Sequence, residues 1–550
     1  MPPAPGRRRH LRHLPPPLLL LLLLGGGCAR ADRPGLEAQC PGPAARRLVV
    51  TEAPFHAVGD GVADDTRAVQ AALDAAAGTG ACVVLRDGVF VTGGLLLGAR
   101  TTLYVDVTAS LRASTNGSAW VPQFSRASRR QRQGAVESVA GALVAGLDAH
   151  HSRIVGRGVL DGQAPQYATQ QGSTSNGTAP WAPEMLSFRQ LQVPGFGPIR
   201  PRVLSISHAE GFHVEGVTLT DSHGWTTKFV DCVDLYIGHV NVYGDWRQPN
   251  NDGIEPVSCT NVLIEYVDVN VADDAISPKA NYLRPDGTYQ PSRGLTVRHS
   301  RLRSRSFAVK IGTEIYGNMS NVDIHDCLIY SSHQGIGVDL REKGHVSDVR
   351  VANVNIFRAE WVGSGDYLHQ NWMGNAQPLF LSNTKVWGPI RTRGTIANVT
   401  FENVTAVAAN GVYISGEAVP GREKTIHDVR FRNVRVVISQ PPGNNATNGL
   451  HPAHSDRQEA ALGRGAGTTA PREPVDAYFF EHVSGVTFDK RSAAAFAGRA
   501  MPGNSFGACA FFGEGTDTPA PALSKCTGGG RRTRSGPGLG LGWAGPRRPR

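Results

Sequence analysis

From about residue 203 onward the chain keeps returning to one short pattern. A small or polar residue is followed by apolar-x-apolar, then by a second short strand and a turn of variable length. The instances are Gly211-Phe212-His213-Val214, Asp234-Leu235-Tyr236-Ile237, Asn261-Val262-Leu263-Ile264, Gly294-Leu295-Thr296-Val297, Asn321-Val322-Asp323-Ile324, Asp348-Val349-Arg350-Val351, Asn398-Val399-Thr400-Phe401 and Asp428-Val429-Arg430-Phe431. Their first apolar positions are separated by 23, 27, 33, 27, 27, 50 and 30 residues. Alternation with period 2 describes a strand with one buried face. A return every ~20–30 residues is the signature of a β-solenoid, in which each unit buries its apolar face against its neighbours. The longer gaps read as insertions in turns, around Asn281–Pro291 and Gly363–Ile390. A β-sandwich would join its strands by hairpins, and regular units without hairpin turns argue against it.

Ahead of the repeats, Gly59-Asp60-Gly61 reads as a turn leading into a short helix. Asp64 and Asp65 supply cap and dipole charge for Thr66 onward, and Val69, Ala72 and Leu73 form an apolar stripe at i, i+3, i+4. Such a helix covers the open end of a stack of coils. The 65 glycines and the modest 19% of charged residues suit a turn-rich β-protein.

Two short motifs carry chemistry: Asn250-Asn251-Asp252-Gly253-Ile254 and Ala272-Asp273-Asp274-Ala275-Ile276. Asp252 and Asp273 are 21 residues apart, close to one turn of the repeat, so the three carboxylates are expected side by side on one face. Glycosidic-bond hydrolysis needs such a group, with one acid protonated to donate to the leaving oxygen and others ionised to activate water. Adjacent carboxylates repel, so one is expected to keep its proton at neutral pH. On a regular strand Asp273 and Asp274 would point to opposite faces, so a bulge or a strand end is expected there.

The formal charge of +10 belongs to the ends of the chain. Arg7, Arg8, Arg9 and Arg12 lie in the leader and Arg531, Arg532, Arg534, Arg547, Arg548 and Arg550 in the tail, which leaves the body about neutral and argues against nucleic acid as a partner. Residues 1–31 read as a secretory signal peptide, with a basic start, Leu18 to Leu24, and Ala29-Arg30-Ala31 as a small-x-small cleavage site. Seven leucines fall short of the ~20 apolar residues that span a bilayer, so no stable membrane insertion is expected. Sequons at Asn116, Asn176, Asn318, Asn398, Asn403 and Asn445 fit a eukaryotic secretory route and a secreted glycoprotein, extracellular or in a cell wall. Cys509 and Cys526 bracket a Gly/Pro-rich turn and read as a C-terminal disulfide. Cys232, Cys259 and Cys327 recur inside apolar strands, as stacked thiols or bridges. No cysteine or histidine spacing suggests a metal site. Residues 440–473 read as a flexible insertion and 527–550 as a disordered basic tail. The catalytic domain is expected over 48–515, as a monomer.

Phe55-x-Ala57-Val58-Gly59-Asp60-Gly61-x-x-Asp64-Asp65-Thr66 resembles the opening motif of the pectate-lyase-type β-helix superfamily. The Asn-Asn-Asp252-Gly and Asp273-Asp274 motifs resemble those of glycoside hydrolase family 28, the polygalacturonases, and the likeness runs from about residue 48 to 440. It implies an all-β, single-stranded right-handed parallel β-helix with a short N-terminal capping helix. It also implies an inverting hydrolase that needs no cofactor and takes a polysaccharide or oligosaccharide. Asp273 corresponds to the general acid, while Asp252 and Asp274 hold and activate the water. Asn251 and Trp225, one coil before Asp252, are substrate-binding candidates, with packing in the core as the alternative for Trp225.

Downstream the chain departs from the family. A Gly-His-Gly motif and an Arg-Ile-Lys motif are matched by Ser306-Phe307-Ala308 and Gly337-Val338-Asp339. The histidine position holds Phe307, and Gly337 and Asp339 cannot form a bidentate clamp on a galacturonate carboxylate. Lys310 and Arg341 would restore positive charge, or Asp339 and Glu314 would bind the hydroxyls of a neutral sugar. An ion pair of Lys310 with Glu314 or Asp339 is the structural alternative. Trp361, Trp372 and Trp387 flank the large insertion as a rim for the groove, and His333 reads as a solvated turn residue, with a substitute for the missing histidine as the alternative. Rival functions are a calcium-dependent lyase or epimerase, with the aspartates as ligands and Lys310 as base, and a non-catalytic wall protein that binds carbohydrate.

Overall fold

The computed structural model of the chain describes residues 39–40, 46–132, 140–169, 187–188, 190–359, 376–383, 394–417, 424–439, 476–497, 510–512, 516–517 and 525–527. The leader, the 440–473 insertion, the tail beyond Thr527, Cys509, Asn176, Asn445, Trp361, Trp372 and Trp387 lie outside the described residues.

Strand by strand, the repeat in the sequence is the register of a parallel sheet. Leu235 pairs with Val262, Val262 with Leu295, Leu295 with Val322, Val322 with Val349, Val349 with Val399 and Val399 with Val429. The first and third residues of each apolar-x-apolar unit are buried, as Val262 and Ile264 are in Thr260–Glu265, and they stack into one core that runs the length of the solenoid. The chain is therefore a parallel β-helix. Its neighbouring coils are joined by backbone hydrogen bonds, with no free sheet edge between them.

The residue that opens each unit has a conformational task. Asp234, Asn261, Gly294, Asn321, Asp348, Asn398 and Asp428 all take φ between 54° and 73°, the left-handed region that short polar residues and glycine tolerate. The same side chains bond from coil to coil, as Asn261 Nδ2 donates to Asp234 Oδ1 (3.0 Å) and Asn398 Nδ2 to Asp348 Oδ1 (2.6 Å). A second ladder runs through Asp326, Asn353, Asn403 and Asn433. Asn398 and Asn403, both in sequons, are thus exposed residues whose amides belong to these ladders, whereas Asn116 and Asn318 are exposed outside them.

Helix Thr66–Ala76 buries Val69, Ala72, Leu73 and Ala76 over the first coils, as its apolar stripe requires. Asp65 stands at its N-cap but turns its carboxylate back to accept from the Val58 and Gly59 amides (2.6 and 3.0 Å), and it is Asp64 Oδ1 that takes the Thr66 N–H (3.0 Å). A second helix, Val121–Arg132, and the fully buried Trp120 before it have no counterpart in the strand pattern of the sequence.

Cys40 and Cys82 form a disulfide that ties the segment before the first coil to strand Cys82–Leu85. Cys232, Cys259 and Cys327 are free and buried, and the Cys232 amide donates to Cys259 Sγ (3.4 Å). With its partners 42 residues apart in sequence, the Cys40–Cys82 bond constrains a sizeable loop of the unfolded chain. Cys40→Ser is expected to lower stability by about 2–4 kcal/mol, seen as a lower denaturation midpoint in non-reducing buffer and no difference from wild type under reduction.

Candidate active site

One face of the solenoid is a five-stranded sheet, Leu95–Leu96 to Pro256–Val257, continued by a six-stranded sheet, Phe307–Gly312 to Phe511–Phe512. Between them the ladder thins to single bridges, Ile254 to Ile276 to Val309, Val257 to Lys279 and Ala280 to Ile315. The carboxylates sit at this thinning. Strand Asp268–Val271 ends just before them and the chain bends at Ala272 and Asp273, the strand end that two adjacent inward-acting aspartates need. Gly253 lets the coils close up, because a Cβ there would collide with the Ala275 carbonyl, and its amide donates to the Asp274 carbonyl (2.9 Å).

Asp252, Asp273 and Asp274 each place one carboxylate oxygen within 4.8 Å of the other two, and none is more than 5% exposed. Their surroundings separate them. Asp274 Oδ1 accepts from Ser306 Oγ (2.7 Å) and the Phe307 amide (3.1 Å), and its Oδ2 pairs with Lys310 Nζ (3.2 Å), the donor set of an ionised carboxylate. Burial pushes Asp273 well above the usual carboxylate range. The charges of Asp252 and Asp274 push the same way, and Lys310 opposes them. Asp252 is also raised, by burial and then by Glu255 and Asp274. Lys310 stays a firm cation: burial pulls its pKa down, but Asp274, Asp339 and Asp273 outweigh that and raise it.

The other candidates from the sequence divide into scaffold and floor. Asn251 is 1% exposed, and its Oδ1 accepts from the Ala272 and Asp273 amides (2.8 and 3.2 Å) while its Nδ2 donates to the Asp245 carbonyl (3.0 Å). It holds the bend that presents Asp273. Trp225 is half-buried between Arg202 (5.5 Å) and Lys279 (5.1 Å), which occupy its ring. Asp339 accepts both prongs of Arg341 (3.0 and 2.8 Å). Glu314 accepts from the Asn281 amide, so Lys310 pairs with neither of the carboxylates considered from sequence.

Phe307 turns its ring over Gly337, where a Cβ would lie 2.6 Å from Cε1, and begins a row of buried rings through Phe380, Tyr413 and Phe479. The two departures from the family motifs thus compensate each other: the ring fills space that only glycine leaves open. Gly337→Ala is expected to force the ring aside and cost about 1–3 kcal/mol, read by chemical denaturation.

His333 overturns its reading as a solvated turn residue. It is 5% exposed, Nδ1 lies 2.9 Å from the Arg305 carbonyl, and burial drops its pKa to about 4. A polar residue in a turn is buried here because the turn packs onto the preceding coil, where the His333 amide also donates to the Ser304 carbonyl (2.8 Å). The sequence reading also passed over Glu255, Lys279, Ser306 and Arg200. Arg200 reaches across 50 residues to Asn250 Oδ1 (3.1 Å) and bonds the Pro249 and His223 carbonyls (2.7 and 3.0 Å), which pins the loop before Asp252. Glu255 carried a legible signal: it follows Asp252 by three residues, flanking the inward Ile254.

Fold and site together define a class: a parallel β-helix with a buried cluster of three carboxylates where one sheet thins. Residues 106–440 match Glycosyl hydrolases family 28, and the chain belongs to that family. An endo-polygalacturonase of Pectobacterium carotovorum subsp. carotovorum is 23% identical over 380 residues, covering 68% of this chain and 84% of its own. A Vitis vinifera protein named "Probable polygalacturonase" is 25% identical over 321 residues, 56% of this chain, and the chain spans only 60% of that relative's length. An exopolygalacturonase structure from Thermotoga maritima shares the fold with a TM-score of 0.56 at 18% identity, over 72% of this chain and 88% of that one.

Proposed function

We propose that this protein hydrolyses glycosidic bonds in a pectin-like or related polysaccharide outside the cell. Asp273 acts as general acid, and Asp252 and Asp274 hold and activate the attacking water. The observation that carries the reading is the unequal treatment of three clustered carboxylates: Asp274 is surrounded by donors, while burial and two like charges favour a protonated Asp273.

Protonated Asp273 donates to the leaving glycosidic oxygen as the C–O bond breaks, and water delivers oxygen to the sugar carbon while its proton passes to the carboxylate pair. The inverting outcome rests on family resemblance. One oxygen of each carboxylate lies within 4.8 Å of one of each of the others, a tighter group than the about 6.5–9.5 Å separation typical of inverting pairs. Two of the relatives are named polygalacturonases, which supports a pectin-like substrate. Lys310, engaged by Asp274, supplies a cation inside the cluster and so favours acid–base hydrolysis over the lyase reading.

The test is a panel of polygalacturonan, rhamnogalacturonan and neutral galactose- or rhamnose-containing oligosaccharides, followed with and without chelator. Chelator-resistant release of reducing ends with no unsaturated product is the expected result. Unsaturated product that chelator abolishes would turn the reading to a lyase.

A further inference from the structure

Behind Asp252 lies a carboxylate that none of the hydrolytic roles uses. Glu255 is 0% exposed, and neither Oε1 nor Oε2 meets a hydrogen-bond donor; Asp252 Oδ1 also lacks one. The Glu255 and Asp252 carboxyl groups lie close enough to act on each other directly, with no donor from another group on those three oxygens. Two buried carboxylates in contact cannot both ionise at modest cost, so the contact calls for one proton between them.

The charges that face the pair come from three coils. Lys279 Nζ stands 3.9 Å from Glu255 Oε1, itself only 5% exposed and capped by the Trp225 ring. Asp274 and Glu314 face Glu255 from the following coils, and Asp274, Asp273 and Lys279 face Asp252. Arg200 faces Asp252 and Asp273 from the preceding coil, and Lys310 is taken up by Asp274, so Lys279 is the cation left to Glu255, and the pair still has a proton to share.

We propose that Glu255, backed by Lys279, is a positioning residue that shares a single proton with Asp252 and so sets the pH at which Asp252 becomes a carboxylate able to hold the attacking water. The proposal rests on the hydrolytic reading above. Its step is a proton transfer: the O–H bond of Asp252 breaks, an O–H bond forms on the Glu255 carboxylate, and the total charge with Lys279 is unchanged. The Glu255 carboxyl suits this exchange, since burial raises it to about 7 despite the opposing pull of Lys279 and the contact with Asp252.

Two near-isosteric variants test the charge logic through pH profiles of kcat/KM on the best panel substrate. Glu255→Gln removes a negative charge beside Asp252, so the acid limb is expected to move to lower pH by about one unit or more. Lys279→Met removes the positive charge, so the limb is expected to move to higher pH. Shifts of opposite sign support proton sharing. Limbs that stay put while only the melting temperature falls mean a structural role and overturn it.

Should either variant fail to fold, a 13Cδ-glutamate NMR titration of the wild-type chain without substrate decides the matter. A Glu resonance that titrates in two steps is expected, and one simple step in the ordinary carboxylate range overturns the proposal. That titration stands apart from activity, so a wild-type protein that cleaves no glycan removes the hydrolytic reading without obscuring the proton-sharing result.

Discussion

Asp273→Asn is expected to lower kcat by about 10²–10⁴-fold on whichever glycan the wild-type protein cleaves, because the amide cannot give up a proton to the leaving oxygen. Its fold should persist. The bend that carries residue 273 is held by Asn251 through the Ala272 and Asp273 amides and by Ser304 Oγ on the Asp273 carbonyl (2.6 Å), all of which bond the backbone. Stability is expected to stay level or rise, since the substitution removes a carboxylate that Asp252 and Asp274 repel. The pH profile offers a second check on the role. A general acid must be protonated, so wild-type kcat should fall as pH rises through the elevated pKa of Asp273, and that limb should disappear in the variant's residual activity. A variant that keeps wild-type kcat would remove Asp273 from the chemistry.

Phe431→Ala should give the largest loss of stability among single core changes, about 3–5 kcal/mol, measured as a lower midpoint of chemical denaturation. Phe431 is 1% exposed and lies against Phe401 on the coil before it (5.4 Å), Phe488 on the coil after it (4.8 Å) and Tyr478 (5.3 Å). In a solenoid each coil is stabilised mainly by contacts with its neighbours, so the cavity weakens the interfaces on both sides. Several coils separate it from Asp273, and KM and kcat at temperatures below the transition are expected to match wild type. A midpoint shift under about 1 kcal/mol would mean that the C-terminal coils refill the space.

The departures from family motifs show where local reading and packing part company. Phe307 and Gly337 each look like a loss when taken singly, a missing histidine and a missing arginine. In three dimensions they are one arrangement, because the ring of one occupies the room left by the other. Lys310 was visible as a cation beside the cluster, but its choice of Asp274 over Glu314 or Asp339 depends on distances across coils. His333 stands in what reads as a polar turn, and only packing between coils buries it.

What the sequence by itself determined is the architecture and the place of the carboxylate cluster. Spacings of 27, 33, 27, 27, 50 and 30 between the apolar positions from Leu235 to Val429 are the register of the sheet, residue for residue. The reason is local: period-2 burial and a left-handed entry residue act within one short unit, and repetition turns a local rule into a global one. The strand end at Asp273-Asp274 was legible for the same cause. Tertiary structure decided everything that depends on which side chains meet between coils, including the Cys40–Cys82 bond, Arg200 on the Asn250 loop, Lys310 on Asp274 and Glu255 against Asp252. Those partners lie tens of residues apart or differ by rotamer alone, and charge in a buried site is set by a few ångströms that no spacing in the chain encodes.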